Sequence, residues 1–298
     1  MTKSGKLVVL NESNSRETES MKNDIWLDEN DLSLDDNSDA FSYPPLIRCI
    51  KAEQSWDAQA DTNETLCQLA ELEFAVDEIR HKHANNHKCL DEILDAFYTL
   101  WLFSGSSQKV PEYKLNSVCY ALSMRSGTNT ALGLVLVHLL ERAKLEASLA
   151  LSQGEIVVHV AFSEEEGYVI EPSSGHQSWY IIPENENNQD KEQEKDQEPM
   201  ELIFNEESLK LYLSQQKWAF IAAEKFGHAL SCVEQLMDIL GDDPYERRDR
   251  GYLLNQLNCP KMAKDDLQFF VDECPDDPTI EVIQHQIKEL ADHNNILH

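Results

Sequence analysis

Residues 229–244 read ALSCVEQLMDILGDDP and residues 263–278 read AKDDLQFFVDECPDDP. The two align without a gap at an offset of 34 residues, pairing Ala229 with Ala263, Leu236 with Phe270, and each closing Asp-Asp-Pro with its copy. The same offset reaches the preceding segments, where Trp218 matches Tyr252, Phe220 matches Leu254 and Ala223 matches Leu257. Each Asp-Asp-Pro has a local purpose. An aspartate before a helix accepts free N–H groups, and a proline in the first turn gives up an N–H that has no partner anyway. Asp243 and Asp277 are therefore expected to cap the following helices, and Glu246, three after Asp243, fits a capping box.

A 34-residue period whose helix carries Ala-x-x-x-apolar and closes on proline is the tetratricopeptide pattern. Two copies are visible, followed by a helix carrying Ile280, Ile283, Ile287 and Leu290. About three repeats are needed to close a solenoid core, so the array is expected to lean on the domain before it.

Upstream the pattern is helical from Thr62. Leu66, Leu69, Leu72, Phe74, Val76 and Ile79 mark one helix, and Leu90, Ile93, Leu94, Phe97, Leu100 and Trp101 mark the next. A short helix is expected around residues 116–124. RSGTNTALGLVLVHLL (125–140) follows, a glycine turn and then a helix apolar almost all the way round, as buried helices are. Four helices thus precede the first strand. The period then changes to two: in IVVHVAF (156–162) Ile156, Val158, Val160 and Phe162 share a face. With EASLAL before it and GYVIEP and SWYII after it, this segment predicts a small antiparallel meander, hence an α+β domain.

Residues 1–42 and 183–200 are dense in acid and amide and poor in apolar side chains, and read as a disordered acidic arm and an acidic linker. The expected domains are then 43–182 and 201–298. Trp26 and Leu27 are an isolated apolar pair in the arm.

Among 298 residues, 25 Lys and Arg face 55 Asp and Glu, a formal charge of −30. Such a surface repels nucleic acid and anionic membranes and suits a basic protein surface. No apolar run reaches the roughly 18–20 residues of a membrane span, and no export signal opens the chain. Seven cysteines, an odd number without a C-x-x-C pair, fit reduced thiols in the cytoplasm.

From Asn116 to the last residue, the order of features resembles the bacterial SirB-type family, which joins a transglutaminase-like (papain-like) domain to a tetratricopeptide tail. RSG before a buried helix, a strand opening at Gly154, EPSSG (171–175) and DPYERRDRGYLLNQL (243–257) carry the resemblance. It implies the positions of a catalytic Cys, His and Asp, a set whose chemistry needs a thiolate, an imidazole to take its proton and an acid to orient the imidazole. Here those slots hold Asn129, Glu155 and Glu171. An amide is no nucleophile, and a carboxylate is no imidazole. The resemblance therefore implies a non-catalytic domain and a role in binding or regulation, with no cofactor.

One alternative set stays open: Cys119, His159 and Glu171, as a displaced thiol hydrolase or amide transferase. Thr128 and Thr130 have hydroxyls, and their plainer role is to cap the apolar helix. HKHANNHKC (81–89) puts His83 and His87 four apart, a spacing that on one helix would share a metal. Asn85-Asn86 reads as a turn between helices, so no metal is expected there. ERRDRG (246–251) is the densest basic cluster, and two readings stand. Arg247, Arg248 and Arg250 bind a partner together with Trp218 and Tyr252, or the arginines pair with nearby acids while Gly251 lets two helices approach closely. The expected ligand is a protein or peptide. Neither its identity nor the oligomeric state is legible.

Overall fold

The computed structural model describes residues 43–57, 62–106, 109–181 and 200–296. The acidic arm, with Trp26 and Leu27, and all but the last residue of the 183–200 segment lie outside the described residues.

Helix α1 (Pro45–Glu53) opens the described chain; α2 (Thr62–Lys82) and α3 (Asn86–Asp95) follow. The end of α3 widens into a π-helical turn, Ala96–Leu100, before α4 (Glu112–Leu115), α5 (Val118–Met124) and α6 (Asn129–Arg142). Every side chain from Thr130 to Leu140 except His138 is buried, as the all-round apolar pattern requires. Two polar contacts fix the rotation of α6 against α2: the His138 ring nitrogen lies 2.6 Å from Glu73, and Arg142 donates 2.6 Å to Asp77.

The sheet is antiparallel, ordered β4-β3-β2-β1-β5. Its strands are β1 (Glu146–Ser152), β2 (Glu155–Ala161), β3 (Glu166–Ile170), β4 (Gln177–Ile181) and β5 (Glu201–Ile203). Gln153 and Gly154 both take positive φ (52° and 81°), the requirement of a two-residue hairpin, and leave Ser152 opposite Glu155. A Cβ on Gly133 of α6 would meet Leu149, Val158 and Pro172, so α6 packs on the Leu149–Val158 face of the sheet.

The tail is α7 (Asn205–Ala222), α8 (Phe226–Leu240), α9 (Pro244–Gln256), α10 (Pro260–Glu273) and α11 (Ile280–Ile296). The 34-residue offset holds down to the backbone. Glu224 and Asn258 turn left-handed (φ 55° and 60°), and the next residues, Lys225 and Cys259, donate to Phe220 and Leu254 carbonyls at 2.9 and 2.8 Å. Leu254, Ala263, Leu267 and Phe270 close over Ile283, Ile287 and Leu290 of α11. At the other end the array does lean on the first domain. Phe220 packs edge-on against Trp56 with centroids 5.8 Å apart, and Gln235 donates to Ser55 Oγ at 2.7 Å.

The structure departs from the sequence reading in four places. Helix α1 was not expected, because nine residues led by two prolines give barely two turns of period; yet all but Lys51 are buried. The expected helix at 116–124 runs from Val118 to Met124, capped by Ser117 through a 3.0 Å bond from Tyr120 N, and a further helical turn, Glu112–Leu115, precedes it where a loop was expected. Phe74 and Leu100 leave the apolar stripes and stand 66% and 73% exposed, which narrows the core faces of their helices, and with Pro45–Glu53 and Glu112–Leu115 six α-helices, not four, precede β1 among the described residues. Strand β5 arrives from beyond the acidic segment and pairs with β1, Ala150 facing Leu202.

Candidate functional site

The resemblance puts the nucleophile position of a transglutaminase-like fold at the start of α6. Arg125 turns left-handed (φ 56°) to end α5, and its guanidinium sits 4.8 Å from the Phe103 ring centroid. In the turn expected over Arg125-Ser126-Gly127 the left-handed residue is Arg125, and Gly127 serves by lacking a side chain: a Cβ there would come within 3.1 Å of the Leu115 carbonyl. Thr128 caps α6, accepting from Ala131 N at 3.4 Å while donating to buried Asn116 at 2.9 Å.

Asn129, the first residue of α6, has its amide oxygen engaged: Oδ1 accepts a 3.0 Å hydrogen bond from Ser173 N. Ser173 lies in the EPSSG turn after β3, and that turn closes on itself. The Glu171 carboxylate takes the Ser173 hydroxyl at 3.3 Å and the Ser174 hydroxyl at 2.7 Å. Gly175 N donates to Glu171 O at 2.8 Å, and Gly175 adopts φ 74° with its α-carbon face against the Tyr98 ring. Tyr98 in turn donates to the Pro172 carbonyl at 3.2 Å. The structure thus brings Asn129 and Glu171 together through Ser173.

It does not bring His159 there. His159 directly follows Val158, whose side chain faces α6, so His159 points to the other face of the sheet. On that face its Nε2 meets the Tyr180 hydroxyl at 2.6 Å, and burial pushes its pKa below the usual imidazole value. Tyr180 reaches His159 across Gly167, where a Cβ would fall 2.6 Å from the Tyr180 oxygen. Glu155 stands exposed beside the β1–β2 hairpin.

Cys119 belongs to a third location, the first turn of α5. Its backbone N–H, with that of Val118, donates to Glu53 Oε1, at 3.2 and 2.7 Å. Burial, and then the Glu53 charge, raise its thiol pKa far above the ordinary cysteine value, the reverse of what a nucleophile needs. Cys119, His159 and Glu171 therefore do not form one site.

The sequence reading missed Glu53. This carboxyl is 3% exposed and also accepts from the Ser117 hydroxyl at 2.5 Å and the Tyr212 hydroxyl at 2.6 Å. One side chain caps α5, ends α1 and holds α7. Burial nevertheless outweighs these four donors and leaves its pKa raised. An acid in a stretch with no recognised element carried no signal in the sequence.

The basic cluster is internally paired. Arg247 donates to Asp242 at 2.7 Å and to Asp266 at 2.9 Å, Arg250 donates to Asp266 at 2.7 Å, and Arg248 reaches Asp249 at 2.9 Å. Glu246 does not reach back to complete a capping box. Its carboxylate holds Lys217 at 2.9 Å, and Asp249 holds the same buried ammonium at 2.7 Å. Asp243 does cap α9, accepting from Tyr245 N and Glu246 N at 3.0 and 3.1 Å. Gly251 makes the expected close approach, since a Cβ there would lie 2.9 Å from Leu267 Cγ. Trp218 and Tyr252, at equivalent repeat positions, are both exposed.

The histidines of residues 81–89 go to separate partners. His81 meets the Asp77 carbonyl at 2.7 Å, His83 pairs with Glu92, and His87 stacks on Phe162 with centroids 4.1 Å apart. Asn85 caps α3 through a 3.0 Å bond from Lys88 N. Among the described residues no group of three metal-ligating side chains converges. Nor is any helix there long and apolar enough to cross a membrane.

An apolar helix over an antiparallel sheet, followed by 34-residue helical repeats, defines a transglutaminase-like domain joined to a tetratricopeptide tail. Comparison with known proteins agrees: the transglutaminase-like superfamily model matches residues 64–181, and a tetratricopeptide repeat model matches residues 215–288. Over 220 residues the chain is 30% identical to a UPF0162 protein of Buchnera aphidicola from Acyrthosiphon pisum, covering 70% of this chain and 78% of that one. It is 26% identical over 230 residues to a UPF0162 protein of Vibrio cholerae, covering 75% and 82%, and 28% identical over 219 residues to protein SirB1 of Salmonella typhimurium, covering 70% and 78%. The chain belongs to the bacterial family of SirB1 and the UPF0162 proteins. No solved structure matches it.

Proposed function

We propose that this protein is a non-catalytic binding or regulatory protein of the cytoplasm, in which an inert transglutaminase-like domain (43–182) braces a repeat tail (201–298) that holds a protein or peptide. One observation carries the reading: the Asn129 amide oxygen and the Glu171 carboxylate are both spent on the 171–175 turn, and the strand imidazole of His159 faces the opposite side of the sheet. Tetratricopeptide arrays are a protein-binding architecture whose stacked helices make extended concave surfaces. Trp218 and Tyr252, exposed at the same position of successive repeats, are large aromatic side chains of the kind that dominate binding energies.

Quantitative capture of proteins from a bacterial lysate on the full chain and on a Trp218→Ala/Tyr252→Ala variant tests this. Loss of a specific, stoichiometric partner by the variant with unchanged stability is the expected result. Amide or ester turnover by the purified protein that disappears in Cys119→Ala would contradict it.

A further inference from the structure

Strand β4 ends the sheet, with β3 on one side and, among the described residues, no strand on the other. Hydrogen bonds alternate along an antiparallel strand, so a single bond of the ladder fixes which backbone groups β4 leaves free. Glu171 N donates to His176 O at 2.8 Å, one step past the Ile170–Gln177 pair of the register. Ser178 and Tyr180, two and four positions after His176, therefore bond to β3 as well. The β2–β3 ladder agrees. Phe162 N donates to Glu166 O at 2.9 Å, one step past the Ala161–Gly167 pair, so the alternate residues of β3, Gly167 and Val169, turn to β4. Gln177, Trp179 and Ile181 are left with their N–H and C=O groups pointing outward.

Sheet edges are kept from pairing by shortness, charge, proline or a bulge. The opposite edge strand, β5, has three residues and begins with Glu201. Strand β4 has five, and Gln-Ser-Trp-Tyr-Ile contains no charge, proline or glycine. From Pro172 to Ile181 the chain carries no Asp, Glu, Lys or Arg, although its net charge is −30. Trp179, 57% exposed, ends a row of rings that crosses the sheet toward this edge. Phe162 meets Tyr168 edge-on with centroids 5.7 Å apart, and Tyr168 stacks on Trp179 at 6.3 Å.

The free groups are symmetric about Trp179, and that symmetry selects the occupant. A second copy of β4, related by a twofold axis beside Trp179, sets Trp179 opposite its own counterpart and Gln177 opposite Ile181, so every outward N–H meets an outward C=O. Facing residues of such a pair point to one side of the sheet with Cα atoms about 5.5 Å apart. The row of rings then continues from copy to copy through the two tryptophans. Because the strand is uncharged, two acidic chains meet there without acid against acid. A tryptophan buries about 150–250 Å². Two of them with two short strands stay below the roughly 1,200 Å² of a standard interface, so the association is weak and reversible.

We infer that β4 is a self-association site, at which two copies of this chain pair edge to edge into one continuous sheet. This pairing is independent of the binding role proposed for the tail.

Sedimentation equilibrium of the full chain from about 1 to 500 μM tests it, with a reversible monomer–dimer equilibrium of Kd on the order of 100 μM expected. Raising the salt concentration should tighten the dimer, because it screens the repulsion between two chains of charge −30. Trp179→Lys sets like charges opposite each other at an exposed position and should weaken the dimer at least about tenfold. Gln177→Pro removes an outward N–H that β3 does not use and keeps the tryptophan. It should also weaken the dimer, and it keeps the test valid if Trp179→Lys disturbs the sheet. Amide exchange compared at low and high protein concentration should slow in the segment holding residues 177–181. A chain that stays monomeric throughout, a dimer that either folded variant leaves unchanged, slowing confined to another segment, or a dimer weakened by salt would overturn the assignment.

Discussion

The Tyr212 hydroxyl donates a 2.6 Å hydrogen bond to Glu53 Oε1 across 159 residues of sequence. Through it the tail's first helix is tied to the residue that ends α1 and caps α5. Removing the carboxyl in Glu53→Ala strands two backbone N–H groups and a buried hydroxyl, each costing about 1–3 kcal/mol. We expect a loss of at least about 3 kcal/mol in urea unfolding, and a loss below about 1 kcal/mol would show the bonds to be incidental.

Glu53 also sets a pH dependence. Its carboxyl binds a proton more readily folded than unfolded, because burial raises its folded pKa. The stability it contributes is therefore fully present below the ordinary glutamate value of about 4.3 and is lost as pH rises through the folded value. Glu53→Gln, a mimic of the protonated form, removes this dependence. Wild-type stability minus that of Glu53→Gln should fall as pH rises from the acid side toward neutrality, and a difference that grows with pH contradicts the assignment.

Lys217 sits between Glu246 and Asp249 with only 4% of its side chain exposed. Lys217→Met leaves two buried carboxylates facing each other and should cost about 3–5 kcal/mol. Adding Glu246→Gln to it should restore part of that loss. Chemical denaturation of the single and double variants checks the sign, and additive losses would mean that the charges are not coupled.

Two glycines of the same repeat array predict opposite outcomes. Gly251→Ala pushes a methyl group to 2.9 Å from Leu267 and should cost about 1–3 kcal/mol. Gly227 has nothing within 4 Å of its absent Cβ, so Gly227→Ala should gain a few tenths to about 1 kcal/mol of helix propensity. Thermal unfolding of both variants measures the contrast.

These predictions divide along what the sequence could reveal. The repeat was legible because its signals are local and doubled: an apolar helix pattern, Asp-Asp-Pro and a fixed offset. Strand β2 and helix α6 were legible from period alone. Helix α1, three-residue β5 and the role of Glu53 were not, since short elements have little periodicity and Glu53 draws its meaning from partners more than 60 positions away. The basic cluster shows the same limit. ERRDRG looks alike whether its arginines face a partner or Asp242, Asp249 and Asp266, and only the folded distances separate the two. For the candidate site, Asn129 and Glu171 could be placed in their slots, but the Ser173 link between them came from a turn whose closure no pattern announces.

On the proposed reading, a thiol placed at position 129 alone should not give chemistry. Asn129→Cys supplies a thiol at the start of α6, yet His159 remains on the far face of the sheet. The variant should show no burst with an activated acyl ester, and losing the bond from Ser173 N should cost about 1 kcal/mol. Catalytic turnover by this single variant would mean that a base lies within reach after all.

The most direct test of a binding protein without thiol chemistry is alkylation of the native chain by iodoacetamide across pH, with each cysteine's rate followed by peptide mass spectrometry. Cys67 and Cys259 are exposed, whereas Cys119 is half-buried and its thiol is held protonated by burial and the neighbouring Glu53. We predict that near neutral pH Cys67 and Cys259 carry the label and Cys119 reacts only on unfolding or at strongly alkaline pH. Selective labelling of native Cys119 at or below neutral pH, faster than at Cys67 and Cys259, would contradict the account.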